Sequence, residues 1–191
     1  RDPAEEQPVE PFRPRGDDPI LRARAHAAML AWGTEDTRDE LRHASAALEL
    51  LAGREQEAPE AAADALAVLA AARLAAGEGP ALDLLERALA LDRARPDFVV
   101  GSLELLAGTL RTADRIDEAR EIFAETLARL ERAGYESRRV ATLTQVGLTE
   151  LLAGDHGAAG GLFDEAHRLA LELGADTTGP RLYRAHVDAL L

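Results

Sequence analysis

The feature that most constrains this chain is that it repeats itself. The stretch "RIDEAREIFAETLARLERAG", Arg115 to Gly134, is followed 40 residues later by "DHGAAGGLFDEAHRLALELG", Asp155 to Gly174. Both copies write Ala-x3-Phe, then a small residue, then a closing Gly: Ala119, Phe123, Thr126 and Gly134, followed by Ala159, Phe163, Ala166 and Gly174. The same shift of 40 carries Leu103 onto Leu143, Leu106 onto Val146 and Ala107 onto Gly147. A shift of 38 carries Ala65, Val68, Leu69, Ala81, Leu85 and Ala88 onto Leu103, Leu106, Ala107, Ala119, Phe123 and Thr126. A unit of this length cannot bury its own apolar face, so repetition at a fixed period implies that neighbours stack and share a core.

Apolar residues three and four apart make each unit helical. The expected helices are 18–32, 36–52, 59–76, 80–94, 97–112, 115–133, 138–153, 157–173 and 180–190. Punctuation agrees with this reading. Pro59, Pro80, Pro96 and Pro180 sit at or just before segment starts, and Gly53, Gly77, Gly134 and Gly174 follow segment ends, where a left-handed cap is wanted. Asp97, Asp114 and Asp155 are the expected N-caps. Within the template, Ala119 and Ala159 are expected where helices cross, with Phe123 and Phe163 filling the adjoining gaps. A fourth pair, about 18–53, follows more loosely: "LRHASAALELLAG" is similar to "LLERALALDRARP" and "IFAETLARLERAG". The pairs are then about 18–53, 59–95, 97–134 and 138–174, with a final helix at 180–191 that reads as truncated.

Composition narrows the function classes. The apolar fraction of 47% rests on Ala and Leu, with only 4% aromatics, as in close-packed helices. A net charge of -13 opposes a nucleic-acid surface. Neither a membrane-length apolar run nor a signal-peptide pattern is present. The chain holds no Lys, Asn or Cys. Without Lys, a phosphate loop of the form G-x4-G-K-S/T cannot be written. "GDHGAAGG", Gly154 to Gly161, follows a helix rather than a strand and is expected to be a turn running into a helix. His26, His43, His156, His167 and His186 are scattered, without a close ligand pair, and are expected to be solvated or capping. Trp32 is expected in the core. Neither catalytic residues nor cofactors are expected.

The first 17 residues, with Pro3, Pro8, Pro11 and Pro14, read as an extended linker. The chain begins at Arg1, which leads us to expect a piece of a longer polypeptide. Residues 18–191 form the helical domain.

"LELLAGTLRTADRIDEAREIFAETLARL" resembles a tetratricopeptide repeat, with an apolar-small pair in the first helix and Ala-x3-Phe in the second. It lacks the large aromatics usual early in the first helix, and its period exceeds the usual length of about 34. The resemblance implies an all-α fold: a tetratricopeptide-like α-solenoid of stacked antiparallel helix pairs in a right-handed superhelix. The acidic, Arg-only repeats with "LLAGDHGAAGGLFDEAHRLALELGA" are similar to the helical middle region of large ATP-binding LuxR-class transcriptional regulators of the actinobacterial type. That resemblance implies a cytoplasmic, non-catalytic module that binds a protein, peptide or small-molecule effector and touches neither nucleic acid nor membrane. The alternative is a free-standing scaffold or adaptor.

In such an array the first helix of each pair lines a concave wall. The repeat frame puts Leu66, Ala70 and Arg73 there, then Glu104, Gly108 and Arg111, then Thr144, Leu148 and Leu151. Arg73, Glu104, Arg111, Thr144 and Leu148 are the candidate binding residues. Arg73 and Arg111 would suit an anion, or else pair with Glu104. A last apolar face around Leu182, Tyr183 and Leu190 predicts self-association, with a homodimer the simplest product.

Overall fold

The computed structural model describes residues 18–32, 37–95 and 100–191. Among them are nine α-helices and no strand: α1 (Pro19–Trp32), α2 (Thr37–Leu50), α3 (Pro59–Ala75), α4 (Leu82–Arg93), α5 (Leu103–Thr112), α6 (Ile116–Ala133), α7 (Glu136–Leu152), α8 (His156–Leu173) and α9 (Thr178–Leu190). The all-α expectation holds. The linker at 1–17, the expected Asp97 cap and the side chain of Trp32 lie outside the described residues.

The repeat survives into packing. From Ala119 to Gly134 and from Ala159 to Gly174, burial runs in parallel at every position except one, where Gly160 is buried and its counterpart Arg120 is half-buried. Ala119, Phe123 and Leu130 match Ala159, Phe163 and Ala170, all sealed from solvent. The gap that Phe163 fills lies on the preceding helix. A Cβ built on Gly147 of α7 would stand 2.5 Å from Cε1 of Phe163, so the ring rests on bare backbone. Sequence periodicity pointed to Ala159 as the close approach, but the residue with no room for even a methyl group is Gly147.

Helix ends follow the expected glycines with one exchange. Gly134 and Gly174 close α6 and α8 in left-handed conformations, φ 71° and 64°. Asp155 caps α8, its carboxylate accepting the Ala158 N–H at 2.9 Å. Asp114 is not an N-cap. It takes φ 60° in the turn after α5, where Arg115 N–H reaches back to Leu110 O at 2.9 Å. Its short polar side chain tolerates the left-handed position that Gly154 fills one repeat later.

The helix expected from residue 97 begins later, at Leu103, because a buried acid fixes its start. Asp92 of α4, 2% exposed, accepts from the Ser102 N–H at 2.9 Å and the Ser102 hydroxyl at 2.8 Å. Arg95 donates to its other oxygen at 3.3 Å. A buried carboxylate is tolerable when its lone pairs are used in this way.

Each helix packs on the next, and beyond these sequential contacts α1 meets α3, α5 meets α7 and α7 meets α9. The even-numbered helices show no comparable contact with one another. A core of Ala23, Ala27, Leu51, Leu66, Leu85, Leu103 and Ala119 spans the first six helices. A second group, Ala159, Phe163 and Val187 with Leu148, Leu151 and Tyr183, joins α7, α8 and α9.

The glycines left unexplained by the repeat now separate. A Cβ on Gly160 would meet Arg184 and Val187 of α9 at 3.6 Å, an ordinary contact, whereas one on Gly161 would meet nothing within 4 Å. The side chains of α9 therefore lie over Gly160 at a distance that a methyl group would fill, and neither glycine has a steric reason.

His26 and His43 face each other between α1 and α2 with Nδ1 atoms 2.7 Å apart, contrary to the solvated reading. Burial first, then the neighbouring His43, and then positive charge from Arg22 and Arg42, lowers the pKa of His26; burial and then Arg42 lower that of His43, with Asp39 opposing. The folded state therefore binds fewer protons than the unfolded chain, and stability falls as pH drops below the ordinary value of about 6.5. The protection factors of amides in α1 and α2, corrected for intrinsic exchange, are expected to fall on acidification through that range, and His43→Gln to blunt the effect; equal sensitivity in both proteins would contradict it.

Gly147→Ala should destabilise by about 1–3 kcal/mol through overpacking. Gly161→Ala should stabilise by about 0.5–1 kcal/mol. Urea unfolding of the two variants beside the parent measures both, and a neutral Gly147→Ala would contradict the packing described.

Candidate functional site

The face made by the odd-numbered helices carries the polar groups that the repeat frame pointed to, but it arranges them differently. Leu66 and Ala70 are buried in the core with α1 and α4. Thr144 is also buried, and its hydroxyl donates to the Val140 carbonyl at 2.9 Å, so it has nothing to offer a ligand. Leu148 packs with Phe163 and Val187 and serves the α7–α8–α9 junction. Arg73 is exposed, and its guanidinium has no hydrogen-bond or ion-pair partner among the described residues.

Glu104 is engaged, though not with Arg73 or Arg111. Its Oε2 accepts from Arg138 of α7 at 2.6 and 3.0 Å, and its Oε1 lies 2.7 Å from the Thr142 hydroxyl. Arg111 instead donates to the backbone and side-chain oxygens of Gln145, at 3.1 and 2.9 Å. No carboxylate pairs with it among the described residues, and burial lowers its pKa, with Tyr183 of α9 opposing. Glu104–Arg138 and Arg111–Gln145 therefore both tie α5 to α7. On the other side of α7, Glu150 receives Arg120 of α6 through two hydrogen bonds, at 2.8 and 2.6 Å.

Between α3, α5 and α7 lies a groove of about 420 Å³ lined by Ala63, Asp64, Ala67, Val68, Gly101, Ser102, Leu105 and Arg138. None of the positions the repeat frame assigned to the wall lines this groove, because the frame fixes which helix faces inward but not which of its residues border a cavity. Asp64 was missed altogether. Its signal was available: it is the one charged residue between Glu60 and Arg73 in the run "AAADALAVLAAA", an acid on a helix otherwise apolar on every side.

Asp64 differs chemically from its neighbours. Burial first, then Asp92 and Glu60, push its pKa up to about 6, with Arg95 opposing. Among the described residues its carboxylate receives no hydrogen bond. A carboxylate without a donor in a half-buried, negative setting resists ionisation. No group of three or more His, Asp or Glu side chains is placed to hold a metal ion among the described residues, and no described helix is long and apolar enough to cross a membrane. Other depressions are present among the described residues. One of about 510 Å³ lies between α8 and α9, lined by Asp164, His167, Arg181 and Arg184 among others, and one of about 280 Å³ lies beside α4.

No family model, curated protein or solved structure matches this chain.

The raised pKa sets a stability window. Because the folded state holds the Asp64 proton more tightly than the unfolded chain, stability falls as pH rises from about 4 to about 6. Asp64→Asn should raise thermal stability at neutral pH by on the order of 1–2 kcal/mol, after discounting for solvent contact. Near pH 4 it should make little difference. Calorimetry at both values checks this, and a variant less stable than the parent at neutral pH would contradict the unpaired state of Asp64.

Proposed function

We propose that this chain is a non-catalytic binding module: a tetratricopeptide-like α-solenoid of antiparallel helix pairs in a right-handed superhelix, whose odd-numbered helices present one wall to a protein, peptide or small-molecule effector. The observation that carries this reading is the groove on that wall. It draws residues from α3, α5 and α7, so any occupant touches three successive helix pairs and its binding free energy depends on how they stack. Contact of α1 with α3, of α5 with α7 and of α7 with α9, without comparable contact among even-numbered helices, supports an array with its first helices on one side.

On the resemblance drawn from the sequence, the parent protein is a cytoplasmic LuxR-class ATP-dependent transcriptional regulator, and this segment relays effector occupancy to its distant modules. A free-standing scaffold remains the second reading, favoured by the exposed Leu182 and Leu190 on the last helix and Leu191 just after it, an apolar face suited to self-association. Tyr183 is not part of that face, since it stacks on Phe163 with ring centroids 5.5 Å apart.

A thermal-shift screen of metabolites and short peptides, run on the parent and on Ala67→Trp to fill the groove, tests the binding reading. At least one compound is expected to stabilise the parent but not the variant. Compounds that stabilise both equally would contradict it. The full open reading frame separates the two parent proteins: a phosphate loop upstream and a helix-turn-helix downstream are expected, and the absence of both would leave the scaffold.

A further inference from the structure

We propose that the groove between α3, α5 and α7 is a recognition site for an aliphatic cation, an alkylguanidinium or alkylammonium group, whose charge pairs with Asp64 and whose methylene stem lies along Ala63, Ala67, Val68 and Leu105. This rests on the odd-helix wall being the binding face, and it names the chemistry of what binds there.

The first support is how the surrounding charges are used. Asp92 is taken up by Ser102 and Arg95. Glu104 is taken up by Arg138 and Thr142. Glu60 stands 3.8 Å from Arg95. Asp64 alone lines the cavity without a donor. Arg138, the one cation in the lining, is neutralised by Glu104 and does not make the groove attractive to anions. The strongest free electrostatic demand inside the groove is therefore for a positive hydrogen-bond donor, and charge-assisted bonds are the strong ones.

The second support is shape and polarity. The remaining wall is Ala, Val and Leu with the Gly101–Ser102 turn, which suits the apolar stem of a long basic side chain whose head must be solvated or paired. A volume of about 420 Å³ lies within the range of about 300–1,000 Å³ found for small-ligand pockets.

The third support is a predicted coupling to protons. A cation on Asp64 requires the ionised carboxylate, and the groups facing it are Glu60 from α3, Asp92 from α4, Arg95 beyond α4 and the Arg138–Glu104 pair from α7 and α5. Of these, burial, Asp92 and Glu60 hold the proton on, while Arg95 opposes them. A bound cation counters that field and drives the proton off, so binding weakens on acidification.

The test is an amide chemical-shift titration of the isotopically labelled chain. The probes are butylguanidinium, an end-blocked alanine pentapeptide with central arginine, and the same peptide with central norleucine. Shifts are expected in segments 61–68 and 101–106 with both cationic probes and not with norleucine. Asp64→Asn should weaken the cationic probes by roughly tenfold or more, the scale of one lost charge-assisted bond. Lowering the pH from about 7.5 to about 5 should weaken them by about tenfold in the parent and leave the variant unchanged. Tighter binding of the peptide than of butylguanidinium assigns the site to a peptide side chain, and the reverse assigns it to a free amine or guanidine. Equal binding of the norleucine peptide, or undiminished affinity in Asp64→Asn, overturns the cation assignment while leaving a binding groove. Silence of both segments with every probe also overturns it, and in that case hits in the Ala67→Trp screen decide whether the wall binds anything.

Discussion

The ring of Phe163 lying on the bare backbone of Gly147 sets the spacing of α7 and α8, and the rest of the second half is built on that spacing. Val187 and Tyr183 of α9 complete the packing on Phe163, and Arg184 and Val187 lie over Gly160 of α8. Arg184 then reaches Asp164 at 3.2 Å. The first copy of the repeat has Ala107 where the second has Gly147 and Arg120 where the second has Gly160. There the arginine spans to the next pair through Glu150. One template thus accommodates two solutions to the same contact, one held by an ion pair across the joint and one by apolar packing of α9 on Phe163.

The polar ties between neighbouring units orient them more than they hold them. Arg120–Glu150, Arg138–Glu104, Arg111–Gln145 and Arg93–Glu125 each join residues between 30 and 34 apart in sequence, about one repeat. Exposed pairs of this kind contribute about 0–1 kcal/mol each, and Glu150 is the most buried carboxylate among them. Their geometry fixes the rotation of one pair on the next, which determines what lies in the groove. Asp64 stands outside this network. A chain whose only strong cation is Arg has used it to bridge its own units, leaving Asp64 in the groove without a partner among the described residues.

Much of the fold could be read from the sequence because periodicity and punctuation are local: Ala119, Phe123 and Gly134 mark a helix face and its end whatever lies opposite. The start of α5 could not be read, since it is set by Asp92, ten residues before Ser102. Asp114 misled because the same residue type serves at either end of a helix, and only the backbone conformation separates the two roles. Of the candidate site, Glu104 and Arg111 are tied to Arg138 and Gln145 of α7, and Thr144 is buried with its hydroxyl bonded back to Val140, a bond that leaves no trace in a repeat alignment. Asp64 was visible as an acid in an alanine-rich helix, but its lack of a partner depends on what Asp92, Glu104 and Arg138 do elsewhere in the chain.

The central claim is that this chain is held by contacts between neighbours, so damage at one joint stays near that joint. Native-state hydrogen exchange on Phe163→Ala measures this most directly. Protection is expected to fall sharply in α7, α8 and α9 and to stay near parental values in α1 to α4, whose core residues belong to a separate cluster. A uniform loss of protection from α1 to α9 would show a single cooperative core and contradict the account.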